Sequence, residues 1–252
     1  MAARSSSLNL IAYAPALTMN DSRPLEIVHG MERAFPGLHL GWMISDSGQR
    51  IPLPDRDAFV SRERRDGGFP LLRNGDAAFR VTLTGWESTA DNSPSGQAQL
   101  EIHANLPWAA TGVAVAVDVI EAIGENSRAF WGHVLPEGVT VTVSDQFRHS
   151  GNSPHVPPKG LPSLNLPWQL VSPEIPHYLG WLNYWSAATA QAIGFPDPSR
   201  DGELLMRARC TASGGWVVQL TDAPLDLENP THLDILLQAY ERFPEIGGRS
   251  AP

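Results

Sequence analysis

Lysine is almost missing from this 252-residue chain: of 18 basic residues only Lys159 is a lysine, and the others are arginine. Unless Lys159 serves, there is no P-loop lysine, no Schiff-base lysine and no lysine for an Asp/Glu-x-Lys nuclease site. Pro54-Asp55 and Pro196-Asp197 resemble the first half of a restriction-endonuclease motif, yet Lys159 has Pro157 two residues before it instead of a strand. Cysteine is just as scarce. Cys210 alone excludes an internal disulfide and a thiolate cage for zinc, and between strand residues it reads as a small buried hydrophobe. Long hydrophobic runs are lacking too: no window approaches the length of a membrane span. Leu8–Ala14, interrupted by Asn9, is too short for the apolar core of a signal peptide. The expectation is a cytoplasmic protein with no membrane partner.

Catalytic signatures are also wanting. The eight histidines include no H-E-x-x-H and no pair at i, i+4, while His149 and His155 flank a Ser-Gly-Asn-Ser-Pro turn and read as ordinary loop residues. There is no G-x-S-x-G elbow and no G-x-G-x-x-G; Gly214-Gly215 suits a hairpin turn. No catalytic residue, metal ligand or cofactor is expected.

What the chain does have is acid. Twenty-seven carboxylates give a net charge of −9, which argues against a direct nucleic-acid partner, since phosphate binding needs clustered cations. From Thr221 onward six acids face two arginines. Each acid alone reads as a solvated face or as a complement to the final helix's positive N-terminus. Together they read as a patch for a basic partner, where opposite charge speeds encounter and fixes register. The candidate contacts are Asp222, Asp226, Glu228, Asp197 and Asp201, with Tyr184 and Trp185 as aromatic anchors. Trp181 and Trp216 are assigned to the core.

The pattern of elements is mixed. Residues 8–14 read as a strand, Leu25, Val28, Met31 and Phe35 mark a helix, and Leu38–Ser45 a second strand, compatible with a crossover unit. Asp55–Asp66 reads as a charged surface helix, Ala78–Trp86 and Gln97–Asn105 as antiparallel strands, and Pro107 to about Gly124 as a covered helix. Strands are expected at Ala129–Leu135, Val139–Val143 and Gly180–Trp185, a short helix at Ser186–Ile193, a hairpin from Leu204–Thr211 to Trp216–Thr221, and a last helix capped by Asn229. His149–His177 holds seven prolines and reads as a Pro-rich strap anchored by Leu161, Leu164, Leu166, Trp168 and Leu170. The fold class is α+β, one domain over residues 1–252: a mixed, mostly antiparallel sheet covered by helices mainly on one face, with the long strap on its surface.

The segments Gly180–Ser186, Gly215–Thr221, Ala223–Asp226, Ala239–Pro244 and Ile246–Arg249 resemble the immunity protein 52 family of bacterial polymorphic-toxin systems. That resemblance implies a non-enzymatic inhibitor of a cognate toxin, a restriction-endonuclease-like nuclease, and carries no shared catalytic signature. Two rivals stand beside it. One is an enzyme using His149, His155 or His177 as acid/base in a cleft roofed by 149–177; the other is a structural module of a secretion apparatus.

Overall fold

A computed structural model describes residues 7–45, 47–62, 68–147 and 156–249. Strand β1 (Ser7–Pro15) is the spine of the fold. Its alternation puts Leu8, Leu10, Ala12 and Ala14 at zero exposure on one face, and Asn9, Ile11 and Tyr13 on the other. It pairs along its whole length with β6 (Gln99–Pro107) and on its other side with β7 (Trp131–Pro136). Beyond β6 lie β5 (Thr82–Ser88), β4 (Phe69–Arg73), β2 (Trp42–Ile44) and β3 (Arg50–Pro52). Beyond β7 come β8 (Leu182–Trp185), β10 (Trp216–Gln219) and β9 (Ala208–Cys210). Among the described residues every strand pair in this open ten-stranded sheet is antiparallel. Both edge strands are three residues long, and Pro52 closes one of them, which keeps foreign strands from adding there.

The even-numbered face of β1 is covered by α1 (Arg23–Ala34) and α3 (Ala110–Ser127), which pack on each other. Ile27, Val28 and Met31 meet Val119, Ile120 and Ile123 there, all without exposure. At about 25 cal/mol per Å² of apolar area, each such side chain stabilises the fold by roughly 1.5–3 kcal/mol. At Gly124 a Cβ would stand 2.7 Å from the Tyr184 ring, so only glycine lets β8 approach α3 so closely. The short α2 (Arg56–Arg62) flanks α1, where Arg56 bonds Glu32 at 2.7 Å.

The opposite face carries α4 (Glu137–Ser144) and α7 (Pro230–Arg242). Trp185, one residue along from Tyr184, points this way and stacks edge-on against Phe195 at 5.1 Å and Phe243 at 5.3 Å. The Tyr240 hydroxyl accepts from Leu179 N and from Gln146 Nε2, both at 3.1 Å. The strap runs between these elements and is pinned rather than loose: Leu164 N donates to Gln146 O, Asn165 N to Gly247 O and Ser95 N to Leu170 O. Leu161, Leu164 and Leu170 are buried, while Trp168 is half exposed. Among the described residues no helix is long and apolar enough to cross a membrane.

Several expectations change. Helices cover both faces, because β8 and β10 carry large apolar groups on both. The opening is not a neighbouring crossover: β1 already has β6 and β7 on its two edges, so β2, reduced to three residues, lies three strands beyond β6. Val139–Val143 is helical within α4. Its Val-Thr-Val-Thr-Val alternation mimics a strand, but Val139 and Val143 at i, i+4 are the buried pair and Val141 is exposed. The first arm of the last hairpin is half helix, α6 (Gly202–Met206), and Pro107 ends β6 instead of opening α3. Strands β3 and β4 are additional. Cys210 lies exposed on the edge strand, not buried.

Candidate functional site

The acidic candidates separate by burial. Asp226 and Glu228 lie in the segment leading into α7, where local chemistry fixes the chain. Asn229 caps the helix by accepting from Thr231 N at 3.0 Å, with Pro230 behind it. The Asp226 carboxylate accepts from Glu228 N at 3.0 Å, and Asp226 N donates to His232 Nδ1 at 3.1 Å. Lys159, held at φ 56° in the strap's first turn, reaches Glu228 at 3.0 Å. With Glu228 largely exposed, that pair contributes only about 0–1 kcal/mol and yields easily to a partner.

These residues wall a groove of about 690 Å³ between α4 and the segment before α7. Pro136, Val139 and Leu225 give it an apolar floor, and Trp108, from the link between β6 and α3, stands at its side with 41% of its surface exposed. Asp222 lies just outside, exposed, its carbonyl bonded by Gln219 Nε2 at 3.2 Å. Among the described residues neither Asp222 nor Asp226 meets a cationic side chain. An exposed indole beside unpaired carboxylates over an apolar floor suits a basic or amphipathic segment.

The other candidates are structural. Asp201 is 1% exposed and takes Arg242 Nε at 2.6 Å, Arg242 Nη2 at 2.9 Å and Asp197 N at 2.7 Å. Asp197 is turned onto Ser199, accepting from its hydroxyl at 2.6 Å and its N–H at 2.9 Å, which holds its carboxyl below the usual range. Tyr184 is 2% exposed and donates to Glu125 at 2.8 Å; burial and that carboxylate push its hydroxyl pKa up. Trp185 has no exposure. Tyr184, Trp185 and Asp201 are therefore out of reach of a partner, because β8 is interior and Asp201 is the buried half of an ion pair. Residue type singled out these three; enclosure removes them. Trp108, Lys159 and His232, which complete the groove, were passed over because nothing local links positions so far apart in the chain.

The enzyme reading rested on histidines beneath the strap. His149 and His155 lie outside the described residues. His177 is 3% exposed and sits edge-on to Trp131 at 4.7 Å, with Tyr13 at 4.8 Å, and among the described residues it meets no carboxylate. Burial lowers its pKa to about 3, and that of neighbouring His133 likewise to about 3.

Fold and site together define an α+β protein built on one wide antiparallel sheet, with an acid-rimmed groove between α4 and the segment before α7. The chain belongs to the family described as Domain of unknown function (DUF5953), whose model matches residues 19–251. The immunity protein 52 family expected from the C-terminal segments is not the family this match shows. No curated protein matches it. Among solved structures it is similar to a Pseudomonas aeruginosa T6SS protein, PA0821, with a TM-score of 0.56 and 12% identity, covering 94% of this chain and 73% of that one. At that identity the likeness establishes a shared fold.

Proposed function

We propose that this chain is a non-enzymatic immunity protein that binds and neutralises a cognate nuclease toxin of a bacterial secretion system. The observation that carries the reading is the groove, where Asp226, Glu228 and Trp108 converge over an apolar floor. A nuclease is basic where it grips DNA, and an acidic surface with an aromatic anchor complements such a patch. A net charge of −9 adds long-range steering, and the fold shared with a T6SS protein is consistent with that setting. An interface of standard size needs about 800 Å² per partner, which one face of this molecule supplies. Occupying the toxin's substrate surface suffices; the inhibitor transforms nothing.

The test uses the product of the gene beside this chain's own as the candidate toxin. Wild-type protein is expected to co-purify with it and abolish DNA cleavage at equimolar ratio. Asp226→Lys with Glu228→Lys, or Trp108→Ala, should weaken binding by about tenfold or more, with the double charge reversal acting mainly on the association rate. Undiminished cleavage at saturating inhibitor refutes the reading.

A further inference from the structure

A second cavity, about 450 Å³, opens along the C-terminal half of α7, with three arginines in its lining although the chain's net charge is −9. Arg200, Arg207 and Arg242 line it, with Leu204 and Ile235 as apolar wall. Elsewhere three of the described arginines are answered by carboxylates: Arg23 by Asp21, Arg56 by Glu32 and Arg209 by Asp118. In this cavity only Arg242 is answered, by Asp201. Among the described residues Arg207 and Arg200 form no ion pair. Glu203 lies on the same rim, exposed, and pairs with neither.

Arg207 is the telling residue. It is partly buried, and its Nε is sealed from solvent yet donates to no acceptor. The outer guanidinium nitrogens have no counter-ion among the described residues, and an anion in the cavity can take them as charge-assisted donors. The planar fork of arginine matches the two oxygens of a carboxylate or phosphate. The exposed guanidinium of Arg200 adds a second positive charge at the rim, and the cavity lies in the size range of small-molecule sites.

We propose that this cavity binds a compact organic oxyanion, a carboxylate or phosphate on a short apolar body, with Arg207 and Arg200 holding the charged end and Leu204 and Ile235 the body. The proposal is independent of toxin binding, since this cavity shares no lining residue with the groove and needs no partner protein.

The experiment titrates the purified full chain with inorganic phosphate, phenyl phosphate and glutarate, by calorimetry and thermal shift, against sodium chloride of matched ionic strength. Saturable one-to-one binding is expected, tighter for phenyl phosphate than for inorganic phosphate. It should weaken at least about tenfold in Arg207→Gln and in Arg200→Gln but not in Arg33→Gln, an equal charge change on the far helix α1. Tighter binding of phenyl phosphate than of glutarate assigns the site to phosphate esters, and the reverse to carboxylates. Arg200 is exposed, so its variant reports on binding even where Arg207→Gln disturbs folding. Responses no larger than those to chloride, or affinities unchanged in both variants, overturn the proposal.

Discussion

Acidification should unfold this protein through two histidines before its carboxylates begin to titrate. His133 and His177 are 1% and 3% exposed, and His133 Nδ1 and His177 Nε2 are buried without a hydrogen-bond partner among the described residues. Burial lowers both pKa values from the ordinary 6.5 to about 3. The folded protein thus keeps both rings neutral at pH 5, while the unfolded chain protonates each below 6.5. Because the folded values are depressed, stability is fully present above 6.5, declines as pH falls and levels off only near the folded values. The slope approaches about 1.4 kcal/mol per pH unit for each histidine below its unfolded pKa, so from about pH 7.5 to about pH 5 each costs about 2 kcal/mol and the pair about 4. That window lies well above the folded values, so the loss is set by the unfolded chain alone. Urea titrations followed by tryptophan fluorescence, at about pH 7.5, 6.5 and 5, read it directly. His177→Phe keeps a ring against Trp131 and Tyr13 and removes one titrating group; its stability should fall by about 2 kcal/mol less than wild type over the same range. Parallel pH profiles for wild type and His177→Phe refute the reasoning.

Two further outcomes follow from buried polar contacts. Asp201→Asn removes the counter-charge of Arg242, whose side chain is only 14% exposed, and should cost about 3–5 kcal/mol in urea titration, with toxin binding per folded molecule unchanged. Glu125 sits where burial would raise its pKa, but hydrogen bonds from the Ser213, Tyr184 and Thr211 hydroxyls and from Ser213 N hold it below the ordinary 4.5. A depressed carboxyl contributes stability above its unfolded pKa that is lost below it, so the advantage of wild type over Glu125→Gln should shrink as pH drops under 4.5.

The sheet's centre was legible because its rules are local. Alternation in β1 and β6, the helical spacing of α1 and the Asn229-Pro230 start of α7 all operate within one element, and all fall where expected. What failed was set by partners. Val139–Val143 has strand-like alternation but buries a helical pair, and Leu38–Ser45 shrinks to three residues because its neighbours are the short β3 and β4. Strand alternation puts neighbours such as Tyr184 and Trp185 on opposite faces, but it does not say that both faces of β8 are interior.

The same limit governs the site, and it decides what a sequence argument about charge can deliver. Counting acids identified a patch, but an acid contributes to recognition only if its charge is unspent. Asp201 spends its charge on Arg242 and Glu125 is ringed by hydroxyls, whereas Asp226 satisfies only one backbone N–H. The sequence spacing of Asp201 and Arg242, 41 positions, hides that pairing from any window. The complementary case is Arg207, which meets no carboxylate among the described residues although Glu203 lies on the same rim, while Arg23, Arg56, Arg209 and Arg242 each find one far from or near to them in the chain. Where charge stays unspent, at the groove and at the second cavity, therefore follows from which ion pairs the fold completes and which it leaves open, a property of the assembled sheet and not of composition.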